Sequence, residues 1–332
     1  MESTAVVLAL CFAFVLGVSD SPNASSMLIA SRTASYRAAS LLAFVTHAAG
    51  AFIGGTAVAF TIARLVDVGS ANVPAAFAAA SLAAIALVAV GAWLGIPVSA
   101  SVGLVGGLVG AALVAAGSSA VDWGGFEGIR PRGVAGILLG LALSPLAGIG
   151  AAWLVRRGVE LFLRRARRSM LSPVRGGIWI GAALVGLSDG TNDGQKAMGL
   201  IAGTLVATGR LDQLTVPTWS RATVGVALAL GTVIGGRRIV RVVERGFYRG
   251  GPLDGLGAQG AAAGVIFGCT GLGLPISTST VVSSSVVGVG LDRRPRHVRW
   301  RTYGRVVLAW ALTIPVCGGL GAVLYLLLRA VS

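Results

Sequence analysis

Gly186-Leu187-Ser188-Asp189-Gly190-Thr191-Asn192-Asp193-Gly194-Gln195-Lys196 is a polar stretch that lies between two strongly apolar ones. Residues 178–185 before it and 197–206 after it are apolar enough for the interior of a bilayer. A charged side chain at the bilayer centre costs roughly 2.5–3.5 kcal/mol even on a lenient insertion scale, so such residues usually face a protected cavity. The two carboxylates and the lysine of this stretch therefore mark a candidate ion or substrate path.

The residues of this stretch disfavour a continuous helix. Glycine adds backbone entropy, and Asn and Asp side chains compete for backbone hydrogen bonds. We therefore predict a membrane helix that is broken at midplane around Asp189. A similar stretch, Gly17-Val18-Ser19-Asp20-Ser21-Pro22-Asn23, ends the first apolar run. Pro22 removes a backbone donor and disfavours helix at Ser21, which predicts a second broken helix.

The composition is that of a polytopic membrane protein. Hydrophobic residues make up 55% of the chain and charged residues 12%, whereas about a quarter of residues are charged in soluble domains. Apolar runs of about 20 residues, long enough to cross a bilayer, recur along the chain. We predict a multi-pass protein of the cell (cytoplasmic) membrane. A cleaved signal peptide is not expected, because the first run follows Glu2 rather than a basic residue.

The basic residues follow the pattern of membrane topology. The formal net charge is +15, and of the 27 basic residues only one is lysine. Most arginines lie in four short segments, at residues 32–37, 156–175, 237–249 and 293–305. The positive-inside rule makes these segments cytoplasmic, with anionic lipid as their neighbour. Nucleic acid is not an expected partner, because no basic face carries the aromatic platform that single-strand binders use.

The chain contains an internal repeat. Residues 17–23 match residues 186–192 at an offset of 169, and Pro97-Val98-Ser99-Ala100-Ser101 matches Pro275-Ile276-Ser277-Thr278-Ser279 at an offset of 178. We predict a first repeat over residues 1–155, a basic cytoplasmic linker over 156–173 and a second repeat over 174–332. Together they form one integrated membrane domain.

The arginine-rich segments give the two repeats opposite orientations. Between Arg249 and Arg293 the chain leaves and returns to one side, so residues 258–291 are predicted to form a re-entrant hairpin. The same count of membrane crossings predicts that the hairpin with Pro97 at its tip enters from the other side. The predicted fold class is an all-α polytopic membrane protein of two inverted-topology repeats, each with a broken membrane helix and a re-entrant helical hairpin. Secondary transporters share this plan.

Three carboxylates lie in the middle of apolar runs, and two of them, Asp20 and Asp189, occupy equivalent positions of the repeat. The third is Asp193. Asp carboxylates with Asn amide oxygens and unwound backbone carbonyls suit an alkali cation, and Asp alone suits a proton. The alternative is that these residues only cap half-helices, although neutral Ser or Asn would cap as well without a buried charge.

The hairpin tips carry hydroxyl groups and no carboxylate. Ser99 and Ser101 in the first tip, and Ser277, Thr278 and Ser279 in the second, precede helical arms. Their hydroxyls and the free N–H groups of the arms can bind phosphate or sulfate without a formal charge. The alternative is hydrogen bonding within and between membrane helices. The matched pair of tips favours a binding site.

Two further residues have alternative roles. Lys196 either offsets the charge of a bound anion or forms an ion pair with Asp193 or Asp189. His47 lies within an apolar run and is interpreted as a hydrogen-bonded core residue rather than a proton relay.

These motifs resemble the inorganic phosphate transporter (PiT) family. The stretch from Ser188 to Gly199 is similar to the family's signature, and Asp20-Ser21-Pro22-Asn23-Ala24 is similar to its first-half counterpart. The tips and the segment from Val298 to Pro315 are also similar, so the resemblance covers almost the whole chain. It implies cation-coupled uptake of inorganic phosphate by alternating access, two inverted repeats and often a homodimer.

The resemblance also implies roles for individual residues. The implied cation positions are Asp20, Asn23, Asp189 and Asn192. The implied phosphate-binding residues are Ser99, Ser101, Ser277, Thr278, Ser279, Asp193, Gln195 and Lys196. The coupling ion is sodium or a proton, and no cofactor or further metal is implied. The chain differs from the family's common pattern at Val102, Gln259 and Thr280, where His, Glu and His are usual.

Three other functions stay open. Sulfate or another tetrahedral oxyanion would use the same hydroxyl and N–H donors, although phosphate also offers O–H groups that need acceptors. A membrane-embedded phosphotransferase would need a nucleophile with a base, or a metal cluster, and the chain has two histidines. A channel is the third, but two matched broken elements favour alternating access.

The charge pattern predicts that both termini are extracytoplasmic and that the segment from Arg156 to Arg168 is cytoplasmic. A cysteine placed at Arg164 in a cysteine-free background should react with an impermeant reagent from the cytoplasmic side alone. Reaction from outside would refute the predicted orientation.

Overall fold

A computed structural model of the protein describes residues 1–94, 98–127, 130–163, 171–246, 252–293, 298 and 300–331. These residues form eleven α-helices and one short β-hairpin. The first half contains α1 (Glu2–Ala30), α2 (Tyr36–Ile53), α3 (Ala57–Ala63), α4 (Val73–Leu94), α5 (Ala100–Ala116), β1 (Phe126–Glu127), β2 (Arg130–Pro131) and α6 (Gly133–Leu163). The second half contains α7 (Leu171–Ala207), α8 (Thr218–Gly246), α9 (Pro252–Gly271), α10 (Thr278–Arg293) and α11 (Trp300–Val331).

The prediction of an all-helical membrane protein is confirmed, with the small hairpin β1–β2 as an addition. Five helices within the described part of the chain are long and apolar enough to cross a membrane. They are Glu2–Ile29, Tyr36–Ile53, Val73–Gly91, Gly133–Leu161 and Tyr303–Val331.

The predicted breaks at Asp20 and Asp189 are wrong. α1 continues through Pro22, and α7 continues for 37 residues through the whole polar stretch. A bilayer interior has no water to satisfy backbone groups that a break would free, so an uninterrupted helix keeps its own hydrogen bonds. The glycines of the polar stretch therefore need another explanation.

That explanation is the close approach of α2 to α7. Gly186, Gly190 and Gly194 are spaced four residues apart and lie on one face of α7. A Cβ atom on Gly190 would lie 2.3 Å from the carbonyl oxygen of His47, and one on Gly186 would lie 2.1 Å from Thr46 Oγ1. Small residues at this spacing let membrane helices pack backbone against backbone. Glycine here specifies a helix contact and leaves the helix intact.

The chain does interrupt a helix, but elsewhere. The apolar run that contains His47 extends over residues 38–66 of the sequence, but it forms two helices, because α2 ends at Ile53 and α3 begins at Ala57. Gly54 and Gly55 lie between the two helices. A helix start leaves its first N–H groups without a helical partner. The interruption therefore frees the backbone N–H of Val58 for a side chain of the site.

Two helix pairs, α4 with α5 and α9 with α10, bring serine residues to the centre of the bundle. Ser99 caps α5 by accepting from the N–H of Val102 at 3.3 Å. Ser277 accepts from the N–H of Thr280 in the same way at 3.4 Å. The two caps contact each other, since Ser99 Oγ donates to Ser277 Oγ at 2.9 Å. Pro97, in the first predicted tip, lies outside the described residues.

Two ion pairs mark the two ends of the bundle. Arg156 Nε lies 3.2 Å from Asp254 Oδ1, which joins the end of α6 to the start of α9. Arg210 lies 3.4 Å from Glu2, which joins the chain after α7 to the start of α1. Because α7 is about 55 Å long at 1.5 Å per residue, these pairs lie at opposite ends.

The predicted linker, residues 156–173, is largely helical where it is described. α6 continues past residue 155 to Leu163, and α7 begins at Leu171. Residues 164–170, with the Arg164 position of the labelling experiment, lie outside the described residues, as do residues 247–251 and 294–297 of the other arginine-rich segments.

The glycine contact of α7 makes a stability prediction. Gly190→Ala should destabilise the folded protein by about 1–3 kcal/mol, because the added methyl group overpacks a backbone contact. Thermal unfolding of the detergent-purified protein measures this effect. The matched control is Gly264→Ala in α9, where a Cβ atom meets nothing within 4 Å. Equal stability of the two variants would contradict the packing role of Gly190.

Candidate functional site

The predicted site residues come together from four elements: α1, α7 and the N-terminal ends of α5 and α10. Eleven of the twelve are buried, and Ser279 is partly buried. The two halves contribute to each part of the site, as the contacts below show.

One part of the site joins α1 to the second half. Asn23 Nδ2 donates to Asp189 Oδ2 at 2.9 Å and approaches Asp20 Oδ1 at 3.4 Å. The hydroxyl of Ser279 donates to the same Asp20 oxygen. The repeat-equivalent residues Asp20 and Asp189 thus share one polar cluster, with Asn23 between them.

A second part is built around Lys196, whose side chain is fully buried. Its ammonium group donates to Ser101 Oγ at 2.6 Å, to the carbonyl oxygen of Ile276 at 2.7 Å and to Asp193 Oδ1. Three acceptors match the three donors of an ammonium group. Of the two ion-pair partners weighed for Lys196, the structure has Asp193. Thr278 donates to the other oxygen of Asp193 at 3.0 Å.

Gln195 is oriented by the interrupted helix. Its Oε1 accepts from the N–H of Val58 at 2.8 Å, at the start of α3. Its Nε2 is buried and has no hydrogen-bond partner among the described residues. An unpartnered buried donor costs about 1–3 kcal/mol, so a site that retains one is arranged for a ligand with acceptor oxygens.

Several buried acceptors are also without partners. Asn192 Nδ2 donates to Thr270 Oγ1 at 2.8 Å and to the carbonyl of Leu274 at 3.2 Å. This fixes the amide and leaves Asn192 Oδ1 unpartnered in the described structure, as is Asp189 Oδ1. Carboxylate and amide oxygens are ligands of hard cations. The unpartnered oxygen atoms at this end of the site are therefore suitable ligands for a cation.

The formal charges lead to the same conclusion. Asp20, Asp189 and Asp193 are buried with Lys196, and three carboxylates against one ammonium leave an excess of two negative charges. Buried charges without compensation are strongly unfavourable. Bound metal cations, or protons taken up by the carboxyl groups, would supply the missing compensation.

The hydroxyl groups of the two helix starts form the third part of the site. Ser277 Oγ accepts from Ser99 Oγ at 2.9 Å and from Thr280 Oγ1 at 2.7 Å. Both serines cap helices, so the positive ends of α5 and α10 lie at this cluster. Oxyanions bind at such helix starts through hydroxyl and N–H donors.

Sequence reasoning did not assign Thr270, Val58 and the carbonyl of Ile276 to the site, and it assigned His47 to the core. Backbone groups carry no sequence signal, so Val58 and Ile276 could not have been found. His47 is fully buried, and its Nε2 lies 3.8 Å from Asp189 Oδ2, beyond hydrogen-bond distance. Its Nδ1 is 2.8 Å from the carbonyl oxygen of Ala43, which agrees with a hydrogen-bonded core residue.

A buried site of paired carboxylates, amides and hydroxyls, shared by the two halves of a multi-pass helical bundle, is typical of a transport protein of the cell membrane. The sequence profile of the phosphate transporter family matches residues 16–176 and 164–321. The chain belongs to this family, so the resemblance recognised from its motifs is confirmed.

Relatives match over nearly the whole chain. A probable low-affinity inorganic phosphate transporter of Mycobacterium tuberculosis H37Rv is 36% identical over 96% of this chain and 76% of its own length. One from Bacillus subtilis is 34% identical over 98% and 96%. A solved structure described as the sodium-dependent phosphate transporter covers 100% of this chain and 99% of its own, with a TM-score of 0.87 and 20% identity. The solved structure establishes the common fold.

The hydrogen bonds of Lys196 predict an effect of the ion pair with Asp193 that can be distinguished from side-chain packing. Lys196→Met should destabilise the protein by about 3–5 kcal/mol, because it leaves the buried carboxylate of Asp193 without its cation. The double variant Lys196→Met/Asp193→Asn should recover part of this loss. Thermal unfolding in detergent, and the yield of monodisperse protein where the single variant accumulates poorly, measure both. A double variant no better than the single one would contradict the pairing.

Proposed function

We propose that this protein takes up inorganic phosphate across the cell membrane by coupled transport with sodium. The observation that carries the proposal is that one buried site of the described structure contains both unpartnered acceptor oxygens and an unpartnered N–H donor. Asp189 Oδ1 and Asn192 Oδ1 lack donors, while Gln195 Nε2 lacks an acceptor, among the described residues. A cation satisfies the first two atoms and an anion satisfies the third.

The cation site consists of Asp20, Asn23, Asp189 and Asn192. Sodium is favoured over a proton because an amide oxygen such as Asn192 Oδ1 binds a metal cation and is not protonated in this pH range. Two carboxylates alone would serve a proton equally well.

The phosphate site lies at the two hairpin turns. The hydroxyls of Ser99, Ser101, Ser277, Thr278 and Ser279 surround the starts of α5 and α10. Gln195 adds a buried amide donor. Lys196 holds Ser101 and the Ile276 carbonyl in place, and Asp193 balances its charge. Asp193 can also accept a hydrogen bond from the O–H group that phosphate carries near neutral pH. Sulfate has no such group at this pH.

Alternating access follows from the proposed repeat plan. Residues 1–155 and 174–332 are the two inverted repeats, joined by the cytoplasmic segment 156–173, and the hairpins α4–α5 and α9–α10 re-enter the membrane from opposite sides. The contact between Ser99 and Ser277 supports this plan, because tips that enter from opposite sides can meet inside the membrane. The names of the relatives, inorganic phosphate transporters among them, support phosphate as the substrate.

The test is uptake of labelled phosphate into proteoliposomes. An inward sodium gradient should drive uptake, and an imposed proton gradient without sodium should not. A tenfold excess of unlabelled phosphate should compete, whereas sulfate should not. Uptake driven by the proton gradient alone would replace sodium by a proton, and competition by sulfate would replace phosphate by the wider class of oxyanions.

Two substitutions test the cation site directly. Asp20→Asn and Asp189→Asn should each reduce sodium-driven uptake at least a hundredfold, because each removes a formal charge that little water can replace in a buried site. Asn keeps the size and the capping oxygen, so folding and insertion should be preserved. Uptake rate against sodium concentration, at matched amounts of folded protein, is the measurement.

The matched control is Asp212→Asn, which neutralises an exposed aspartate in the loop after α7. It should transport as the unmodified protein does. Normal sodium dependence in both Asp20→Asn and Asp189→Asn would restrict these carboxylates to helix capping and overturn the proposed cation site.

A further inference from the structure

A cavity of about 310 Å³ lies beside the site, at the end of the bundle that holds Glu2 and Arg210. Its location follows from Ala63, next to the cavity residue Arg64, because a Cβ atom on Gly203, near the end of α7, would lie 3.4 Å from the Cβ atom of Ala63. This end carries the loops that the charge pattern makes extracytoplasmic. In the predicted orientation, the cavity lies on the side from which uptake begins.

The floor of the cavity is the turn between α9 and α10. Leu272, Gly273 and Leu274 line it. Thr61 Oγ1, in the wall, donates to the carbonyl oxygen of Gly273 at 2.7 Å. On the other side of the same turn, the carbonyl of Leu274 accepts from Asn192 of the site at 3.2 Å. One turn of the chain therefore separates the cavity from the candidate cation site.

Two arginine side chains lie at the rim of the cavity. Arg64 and Arg132 line it with Asp122, and all three side chains are exposed. The guanidinium group of Arg64 lies 5.8 Å from the ring centroid of Phe60, which holds it over the cavity wall by a cation–π contact. α6 begins at Gly133 in the wall and adds the positive end of its dipole.

The size of the cavity suits a hydrated anion. Its volume corresponds to about ten waters at about 30 Å³ each, enough for a tetrahedral oxyanion with part of its hydration shell. One guanidinium group can donate two parallel hydrogen bonds to two oxygens of a phosphate.

We propose that this cavity is a capture site, in which Arg64 and Arg132 bind phosphate before the turn at residues 272–274 admits it to the buried site. The proposal rests on phosphate uptake as the proposed function. It assigns Arg64 and Arg132 to the first binding step and not to the transport step.

The capture step is visible in the kinetics of uptake. Arg64→Gln and Arg132→Gln should each raise the KM for phosphate about three- to tenfold with little change in kcat, because clefts of one charge raise local ligand concentration and on-rate. The dependence of KM on ionic strength should become weaker in both variants, since salt screens exposed charges within about 10 Å at 0.1 M. Initial rates of labelled phosphate uptake at two salt concentrations give both quantities.

The control is Arg210→Gln, which removes an exposed arginine at the same end of the bundle but away from the cavity. Its contact with Glu2 lies at the surface, where ion pairs contribute little to stability. This variant should keep the KM and the salt dependence of the unmodified protein.

A charge-restoring experiment removes the influence of side-chain shape. Arg64→Cys, made after replacement of the three native cysteines, should have a raised KM. A cationic thiol reagent added from outside should lower that KM again, and an anionic reagent of similar size should raise it further. Phosphate should slow both reactions.

The outcomes separate this inference from the proposed function. Absence of phosphate uptake by the unmodified protein would refute the proposed function and the capture site together. Normal uptake with an unchanged KM in both glutamine variants would refute the capture site alone. Reaction of the Arg64→Cys thiol from the cytoplasmic side only would also refute it, because the cavity would then lie on the exit side.

Discussion

The burial of three carboxylates and one ammonium group inside a membrane-protein bundle is the constraint on which this structure depends. None of these groups is stable alone in a membrane interior, so each has a partner from another element. Lys196 of α7 reaches Ser101 of α5 and the carbonyl of Ile276 before α10, while Asp20 of α1 accepts from Ser279. Because these hydrogen-bond partners come from opposite halves, the buried charged groups obtain them only when the two halves are assembled. The polar centre stabilises the fold by the same contacts that build the site.

Such contacts need backbones that approach closely, and glycine provides this at matching positions of both halves. Gly17 and Gly186 are equivalent in the sequence repeat. A Cβ atom on Gly17 would lie 1.9 Å from the carbonyl oxygen of Leu228 in α8, and one on Gly186 would lie 2.1 Å from Thr46 Oγ1 in α2. Lipid tails are as apolar as leucine, so close van der Waals contact drives helices together in a membrane. The two charged helices, α1 and α7, are thereby held against α8 and α2.

The sequence predicted where the polar residues lie better than what the backbone does there. A charged residue inside an apolar run has few explanations, so Asp20, Asp189 and Lys196 were identified from their positions in the sequence. Glycine has two explanations, a break or a close contact, and only the packing partner decides between them. Gly190 has a partner in the backbone of His47 and keeps its helix, whereas Gly54 and Gly55 separate α2 from α3. The partner lies far away in sequence, which is why the breaks were predicted in the wrong helices.

In the proposed cycle, the charges of the site also determine the order of binding. An excess of two negative charges repels phosphate, so the anion can enter only after cations have neutralised the carboxylates. Sodium at Asp189 and Asn192 would also occupy the oxygens beside the turn at Leu274, since the Asn192 amide donates to the carbonyl of that residue. The same turn forms the floor of the arginine-lined cavity, where Thr61 donates to Gly273. A cation that moves the Asn192 amide would act on this turn directly. Cation binding and anion entry would then be coupled through a single turn of the chain. This turn contacts a cation ligand on one side and the anion in the cavity on the other.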